Sequence, residues 1–373
     1  MRNEKSRAVM TYLGKRGEAE ARARLRAFWS RQDADRPALW VAFKPPHFQA
    51  KEWTGPEDLK TREMMPAFQR MMLENVIQGH ECLAEAMPGY KMQWGSSLVT
   101  LAVLAGGDYA YEGNTAYIQP EPDLYARRLP RFDAAHPVAK QVEAIYRTLA
   151  TAAKGRAHLS PPAMLDAMTT LSRFRGTEQL CLDLLERPGD VKRWSGALTV
   201  MYNRIYEHFY QLLVSLGFGE TSTWLSVMAE GRFEAVQCDF AVTVSPELFR
   251  EFVLPDLRVV TDDLDFSLYH LDGVEQMRFL DLLRECPKLN GIQWNPQPGV
   301  GSPTGFVDSF RRIQEHDFSL WIGCPSVDEA VELARALGPK GLFLTLPVFD
   351  SQRNAEEAVS RIAQACRHGR KRS

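Results

Sequence analysis

The sequence has few of the features that would assign a compartment or a macromolecular partner at once. Its six cysteines are scattered with no Cys-x-x-Cys pair, and no apolar run approaches the ~20 residues of a membrane span. A net charge of only −2 gives no bulk attraction to nucleic acid or membrane surfaces. No secretory leader is recognisable. We therefore expect a soluble cytoplasmic protein that acts on a small molecule; the oligomeric state stays open.

Runs of β-type residues alternate with helical patterns along the chain. Such alternation is typical of parallel strands joined by helical crossovers, and eight such units close as a barrel. We predict an α/β fold, a (β/α)8 TIM barrel, as a single domain over 1–373. It has an N-terminal helical extension at 1–35 and a cap inserted over the barrel mouth at 106–156. The eight candidate strands are 38–43, 90–96, 157–160, 221–226, 266–271, 289–294, 318–323 and 341–346.

The most informative stretch is Tyr269-His270-Leu271-Asp272-Gly273, at the end of a short apolar run. Side chains at positions i and i+2 of a strand point the same way, so His270 and Asp272 can act on one small volume. Gly273 allows a sharp turn directly after them. A histidine held by a neighbouring acid for purely structural reasons would give the same pattern.

Catalytic groups of such barrels lie at the carboxyl ends of the strands. Aromatic walls with a few polar groups are usual in a small-molecule pocket, although each tryptophan could equally be a packing residue. By this rule we predict a set of substrate-binding residues: Trp40, Trp94, Trp224, Gln237, Tyr269, Gln293 and Asn295.

Asp239 precedes a strong helix start, Ser245-Pro246-Glu247. The serine can cap free N–H groups, proline suits the first helical position, and the acid is favourable near the helix N-terminus. Asp239 should thus lie in a loop at the barrel mouth. It is either a solvated loop acid or the second carboxylate of the His270 and Asp272 site.

These patterns resemble the uroporphyrinogen decarboxylase superfamily, which includes cobalamin-dependent methyltransferases. The segment 36–40, Arg-Pro-Ala-Leu-Trp, is similar to the family's first-strand opening, and 175–180 is similar to its helix signature. The segment 245–249 resembles the stretch before the histidine strand. His270-x-x-Gly273 stands where the family has His-x-Cys-Gly.

Two departures argue against porphyrin decarboxylation. The decarboxylases resembled here hold eight carboxylates with paired arginines after the first strand, where this chain has Phe43-Lys44-Pro45. Lys44 alone is a poor substitute for those cations. The decarboxylases also use a histidine near the last strand, and 342–347 contains none.

The thiol-methylating branch of the family binds zinc through His-x-Cys and a late cysteine. Asp272 stands at the first cysteine position, 345–347 has no cysteine, and Cys324 lies one strand earlier. A thiolate-rich zinc site is therefore not expected. His270, Asp272 and Asp239 could instead hold zinc or another divalent metal through nitrogen and oxygen, or form a metal-free acid and base pair.

The resemblance implies an enzyme that moves a methyl group between a small methylated compound and a corrinoid carried by a separate partner protein. His270, oriented by Asp272 or Asp239, would protonate the leaving group or bind the metal. The tryptophans would stack a ring or a methylated cation, and Gln293 and Asn295 would orient the substrate. Two alternatives stay open: a decarboxylase or lyase acting on a small carboxylated substrate, and a non-catalytic corrinoid- or substrate-binding protein.

Overall fold

The computed structural model describes residues 11–12, 15–92, 94 and 99–369. In this part of the chain the strands are β1 Ala38–Phe43, β2 Glu81–Ala84, β3 Gly89–Lys91, β4 Tyr109–Glu112, β5 Thr115–Ile118, β6 His158–Ser160, β7 Thr221–Ser222, β8 Met228–Ala229, β9 Phe233–Gln237, β10 Phe266–Asp272, β11 Gly291–Asn295, β12 Ser319–Gly323 and β13 Leu342–Thr345.

The α-helices of the described residues are α1 Glu18–Trp29, α2 Leu59–Arg62, α3 Pro66–Gly79, α4 Thr100–Leu104, α5 Pro137–Ala153, α6 Ala167–Arg175, α7 Thr177–Glu186, α8 Pro188–Ser215, α9 Pro246–Leu248, α10 Leu254–Asp263, α11 Leu280–Leu283, α12 Val307–Glu315, α13 Val327–Leu337 and α14 Gln352–Gly369. A π-helical turn, Phe249–Val253, joins α9 to α10. Among the described residues, no helix is both long enough and apolar enough to cross a membrane.

Seven strands form the central sheet, in the order β2-β1-β13-β12-β11-β10-β9. All neighbours are parallel except β2, which runs antiparallel to β1. The pairing of β1 with β13 joins the first and last strands of the described residues, as a barrel requires. β3 pairs with β6 in a separate parallel ladder. The sheet is thus compatible with a TIM-like α/β fold, while a closed eight-stranded barrel stays a prediction.

The predicted strands of the second half agree with β10 to β13, because each is a short apolar run followed by an amphipathic helix. The prediction of a strand over 221–226 was wrong: β7 ends at Ser222, and the sheet uses β9 instead. Glu234 and Gln237 interrupt the apolar run of β9, so the apolar pattern did not predict this strand. The predicted strand 90–96 is β3 shifted towards the N-terminus. Residues 93, 95 and 96 of that prediction lie outside the described residues.

Helix α1 packs against the amino ends of the sheet strands. Phe28 and Trp29 contact Phe343 and Phe233, with ring centroids 5.5 and 4.9 Å apart. Burying an aromatic side chain of this kind contributes about 1.5–3 kcal/mol. The helix therefore covers the end of the sheet opposite the carboxyl ends of the strands. Residues 1–10 and 13–14 of the predicted 1–35 extension lie outside the described residues.

The segment 106–156 contains the β4–β5 hairpin and helix α5. Helix α5 joins β3 to the parallel strand β6, and its Ile145, Tyr146 and Leu149 are fully buried. At least this helix is therefore part of a β-helix-β unit. A cap formed by the rest of the segment stays a prediction.

Candidate active site

Three side chains converge at the carboxyl ends of two neighbouring strands. His270 and Asp272 project from the same face of β10, and Asp239 begins the turn after β9. One ligand atom from each of the three lies within 4.8 Å of the other two. His270 Nε2 is 3.9 Å from Asp272 Oδ1, too long for a direct hydrogen bond. The spacing leaves room for a shared cation or a proton-transfer partner between them.

Gln293 and Asn295, the residues expected to orient a substrate, contact His270 and Asp272. The side-chain oxygen of Gln293 contacts His270 Nδ1, while its nitrogen donates to the Trp294 carbonyl at 3.3 Å. An amide oxygen only accepts, so Nδ1 carries a proton, and Nε2 faces the acids. Asn295 Nδ2 donates to Asp272 Oδ1 at 2.7 Å. Strand β11 thus orients both groups of β10.

The carboxyl of Asp239 is partly buried and lies beside two other ionisable side chains, His270 and Asp272. Burial raises the pKa of its carboxyl, and the negative charge of Asp272 raises that pKa further, while His270 lowers it. A metal ion among the three groups would reverse the effect of burial, because it stabilises the carboxylate.

A cavity of about 530 Å³ adjoins this cluster. Asp239, His270, Gln237, Trp40 and Trp224 line it, so the structure brings five of the predicted residues to one space. Trp40 and Trp224 form aromatic walls, and the Trp224 ring lies edge-on to His270 with centroids 5.8 Å apart. Methionines and small residues make up most of the remaining lining residues. The volume suits a small organic molecule.

The structure does not bring Trp94 or Tyr269 to this cavity. Trp94 is buried, and its indole donates to the Tyr109 hydroxyl at 3.0 Å. The reason is that β3 ends at Lys91, so Trp94 lies beyond the strand. Tyr269 precedes His270 in β10, so its side chain points to the opposite face of the strand. Its hydroxyl donates to Gln276 Oε1 at 2.7 Å.

Lys91 is a cavity residue that the sequence reasoning missed. Its ammonium group bonds both carboxylate oxygens of buried Glu234, at 2.9 and 2.7 Å. It also lies 5.8 Å from the centre of the Trp224 ring. A lysine in a predicted strand could have indicated a site residue. It was overlooked because the strand was predicted to end at residue 96, whereas β3 ends at Lys91.

His158 is a second missed residue, fully enclosed on the cavity wall. Its Nε2 is 2.7 Å from Ser222 Oγ. Burial lowers the pKa of His158 to about 3, and the charge of Arg22 also lowers it, so the ring is neutral at physiological pH. Gly89 is required beside it, because a Cβ there would lie 2.1 Å from His158 Nε2.

Comparison with known proteins gives a fold relationship and no family. No protein-family profile matches the chain, and no curated protein matches it. The chain is similar in structure to a methyltransferase from Methanosarcina mazei, with a TM-score of 0.56. The superposition covers 94% of this chain and 98% of that one at 14% identity. At this identity the likeness shows a shared fold alone.

Proposed function

We propose that this protein is an enzyme that moves a methyl group between a small methylated compound and a corrinoid carried by a separate partner protein. The observation that carries the proposal is the convergence of Asp239, His270 and Asp272 beside a cavity with tryptophan walls. The fold shared with a methyltransferase supports the same class of reaction.

Asp239, His270 and Asp272 would hold a divalent metal ion, zinc or another that accepts nitrogen and oxygen ligands. Ligands arranged tetrahedrally around zinc lie about 3.4 Å apart. The 3.9 Å between His270 Nε2 and Asp272 Oδ1 therefore needs only a small side-chain movement. A bound ion would polarise the atom that carries the methyl group and make it a better leaving group. In a metal-free site, His270 would exchange a proton with that atom, oriented by Gln293.

The cavity would take a compact and partly apolar molecule. Trp40 and Trp224 offer ring faces on which a methylated cation or an aromatic ring can lie. Lys91 and Asp239 place opposite charges on the wall, so the cavity is electrically mixed. We expect a tetrapyrrole bearing eight carboxylates to bind poorly, because the cations needed to neutralise it are lacking among the lining residues.

Lys91 favours a second candidate, a decarboxylase or lyase acting on a small carboxylated substrate. Its ammonium group could hold a carboxylate at the cavity wall. Glu234, however, already neutralises this lysine through both of its oxygens. We therefore place this reading second. A non-catalytic corrinoid- or substrate-binding protein would use the same cavity without turnover.

The decisive experiment is elemental analysis of the purified protein, followed by incubation with methylated amines, thiols and ethers in the presence of a reduced corrinoid protein. We expect a divalent metal and methylation of the corrinoid, with no reaction when the corrinoid is left out. Release of carbon dioxide from a carboxylated compound would support the second candidate. Binding without turnover would support the binding protein.

Variants link the activity to the cluster. Asp239→Asn, His270→Ala and Asp272→Asn should each lose most of the metal and the activity while the protein still folds. A matched control is the surface pair His316 and Asp281, which lie 3.1 Å apart. His316→Ala and Asp281→Asn should keep both metal and activity. Full activity in the cluster variants would contradict the proposal.

A further inference from the structure

A buried ion pair joins strands β3 and β9 at the wall of the 530 Å³ cavity. Lys91 of β3 donates to both carboxylate oxygens of Glu234 of β9, and the two side chains are 10% and 1% exposed. The backbone N–H of Ala235 also donates to Glu234 Oε1, at 3.1 Å. Burial raises the pKa of the Glu234 carboxyl, whereas Lys91 and the Ala235 N–H lower it. Three N–H donors therefore satisfy this carboxylate and favour its ionised form.

The ammonium group of Lys91 keeps one donor for a ligand. A lysine has three N–H donors and no acceptor. In the part of the chain that the structure describes, two of these donors bond Glu234, and no protein acceptor takes the third. The ammonium nitrogen lies 5.8 Å from the centre of the Trp224 ring on the cavity wall. A buried donor in this place needs an acceptor from the molecule that fills the cavity.

Glu234 decides which kind of acceptor suits this donor. Its negative charge already balances the positive charge of Lys91, so a second carboxylate would bring an unbalanced charge out of water. Among the described residues that line the cavity, Lys91 is the only lysine or arginine, so no other such cation could balance that charge. An uncharged acceptor, such as an amide, ketone or ether oxygen, takes the same hydrogen bond and loses less hydration on binding.

We propose that the methylated substrate carries an uncharged acceptor oxygen that binds Lys91, and that Glu234 makes the cavity select against carboxylates. The inference rests on the proposed function, because it names the substrate class of the same cavity. The Trp224 ring lies 5.8 Å both from Lys91 Nζ and from the centre of the His270 ring. A molecule that lies along the Trp224 ring can therefore contact Lys91 at one end and present its methyl group to the His270 cluster at the other.

The test is a binding experiment with three methyl ethers of similar shape: para-methoxybenzamide, para-methoxybenzoate and para-methoxytoluene. Calorimetric titrations use the EDTA-treated whole protein without a corrinoid, so that no metal ion can hold the carboxylate. We expect the amide to bind about tenfold or more tighter than either of the others, which is the effect of one hydrogen bond to a charged group.

Three outcomes of these titrations would overturn the proposal. Equal binding of the amide and the toluene would mean that water takes the third N–H of Lys91. Equal or tighter binding of the benzoate would mean that the cavity accommodates a carboxylate. A failure of the amide to bind would mean that the cavity does not take a molecule of this class.

Substitutions assign the preference to the ion pair. Glu234→Gln should reverse it, so that the benzoate binds more tightly than the amide by a similar factor, because the charge of Lys91 then has no partner. The double variant Lys91→Met with Glu234→Gln leaves no buried charge unpaired, so it should fold and should bind the amide and the toluene equally. Glu251→Gln is the matched control in an exposed pair with Lys192, and it should keep the wild-type order. A preference for the amide that survives in the double variant would overturn the proposal.

The titrations and the corrinoid assay can fail independently of each other. The expected order of binding without any methylation of a corrinoid would refute methyl transfer and keep the role of Lys91. Methylation of a corrinoid by para-methoxybenzoate as fast as by para-methoxybenzamide would support methyl transfer and overturn the selection by Glu234.

Discussion

The imidazole of His270 is hydrogen-bonded to the side chain of Gln293, its direct neighbour on the adjacent parallel strand. The contact leaves one ring nitrogen protonated and the other free to face Asp272 and Asp239. Two neighbouring strands, β10 and β11, therefore determine the orientation of the His270 ring.

Replacing Gln293 with Met should release the ring. We expect the Nδ1–H tautomer of His270 to give way to a mixture, visible in the nitrogen-15 shifts of histidine-labelled protein. The affinity for a divalent metal should fall by about 10–100-fold, as is usual when the partner of a ligand histidine is lost. Gln211→Met, on the exposed side of α8, is the control and should change neither quantity. An unchanged tautomer in Gln293→Met would refute the assignment.

The ionised carboxyl of Asp239 should lower the free energy of unfolding of the metal-free protein at neutral and alkaline pH. Its pKa in the folded protein is raised by burial, so folding favours the protonated form. The stability that the protonated carboxyl contributes is fully present below its unfolded pKa of about 4. It is lost as the pH rises through the pKa of the carboxyl in the folded protein.

We therefore expect Asp239→Asn to melt above the wild type at pH 8, with the difference vanishing below about pH 4. Melting curves of EDTA-treated protein across this range measure the effect. Asp308→Asn, at a 96% exposed side chain, should show no such trend. A lower melting temperature for Asp239→Asn at pH 8 would contradict this expectation.

His158 should make the protein sensitive to acid. Burial lowers its pKa to about 3, whereas an unfolded histidine titrates near 6.5. The stability it contributes is present above about pH 6.5 and is lost as the pH falls towards 3, by up to about 1.4 kcal/mol per pH unit. His158→Gln should flatten the fall in the free energy of unfolding between pH 6 and 4, as measured by urea titration. An equally steep fall in the variant would assign the acid sensitivity to other groups.

Two glycines should respond oppositely to alanine. Gly89→Ala would place a Cβ against the His158 ring, and we expect a loss of about 1–3 kcal/mol in the free energy of unfolding. Gly196 lies in α8 with nothing within 4 Å of an added Cβ. Gly196→Ala should therefore gain about 0.5–1 kcal/mol, because alanine favours the helix. Urea midpoints compare the two variants, and equal midpoints would count against the tight contact at Gly89.

Local patterns alone predicted the regular half of the fold. Strands β10 to β13 were located from short apolar runs between amphipathic helices. The same period of two placed His270 and Asp272 on one face of β10, because that relation depends only on strand geometry. β9 was missed because its polar residues are satisfied by distant partners, Glu234 by Lys91 of β3, and no local rule foresees such a pairing.

The meeting of residues far apart in the sequence was decided by the tertiary structure. Asp239 joins His270 and Asp272 because β9 and β10 are adjacent and parallel, so their carboxyl ends reach the same edge. Gln293 and Asn295 were selected as strand-end residues, but the register of β11 against β10 turned them towards His270 and Asp272. Trp94 was misplaced because β3 ends at Lys91, three residues before Trp94, and the Trp94 side chain lies in the core and not at the cavity. Sequence specifies the chemistry that each segment carries, whereas pairing, register and strand length specify which of those groups meet.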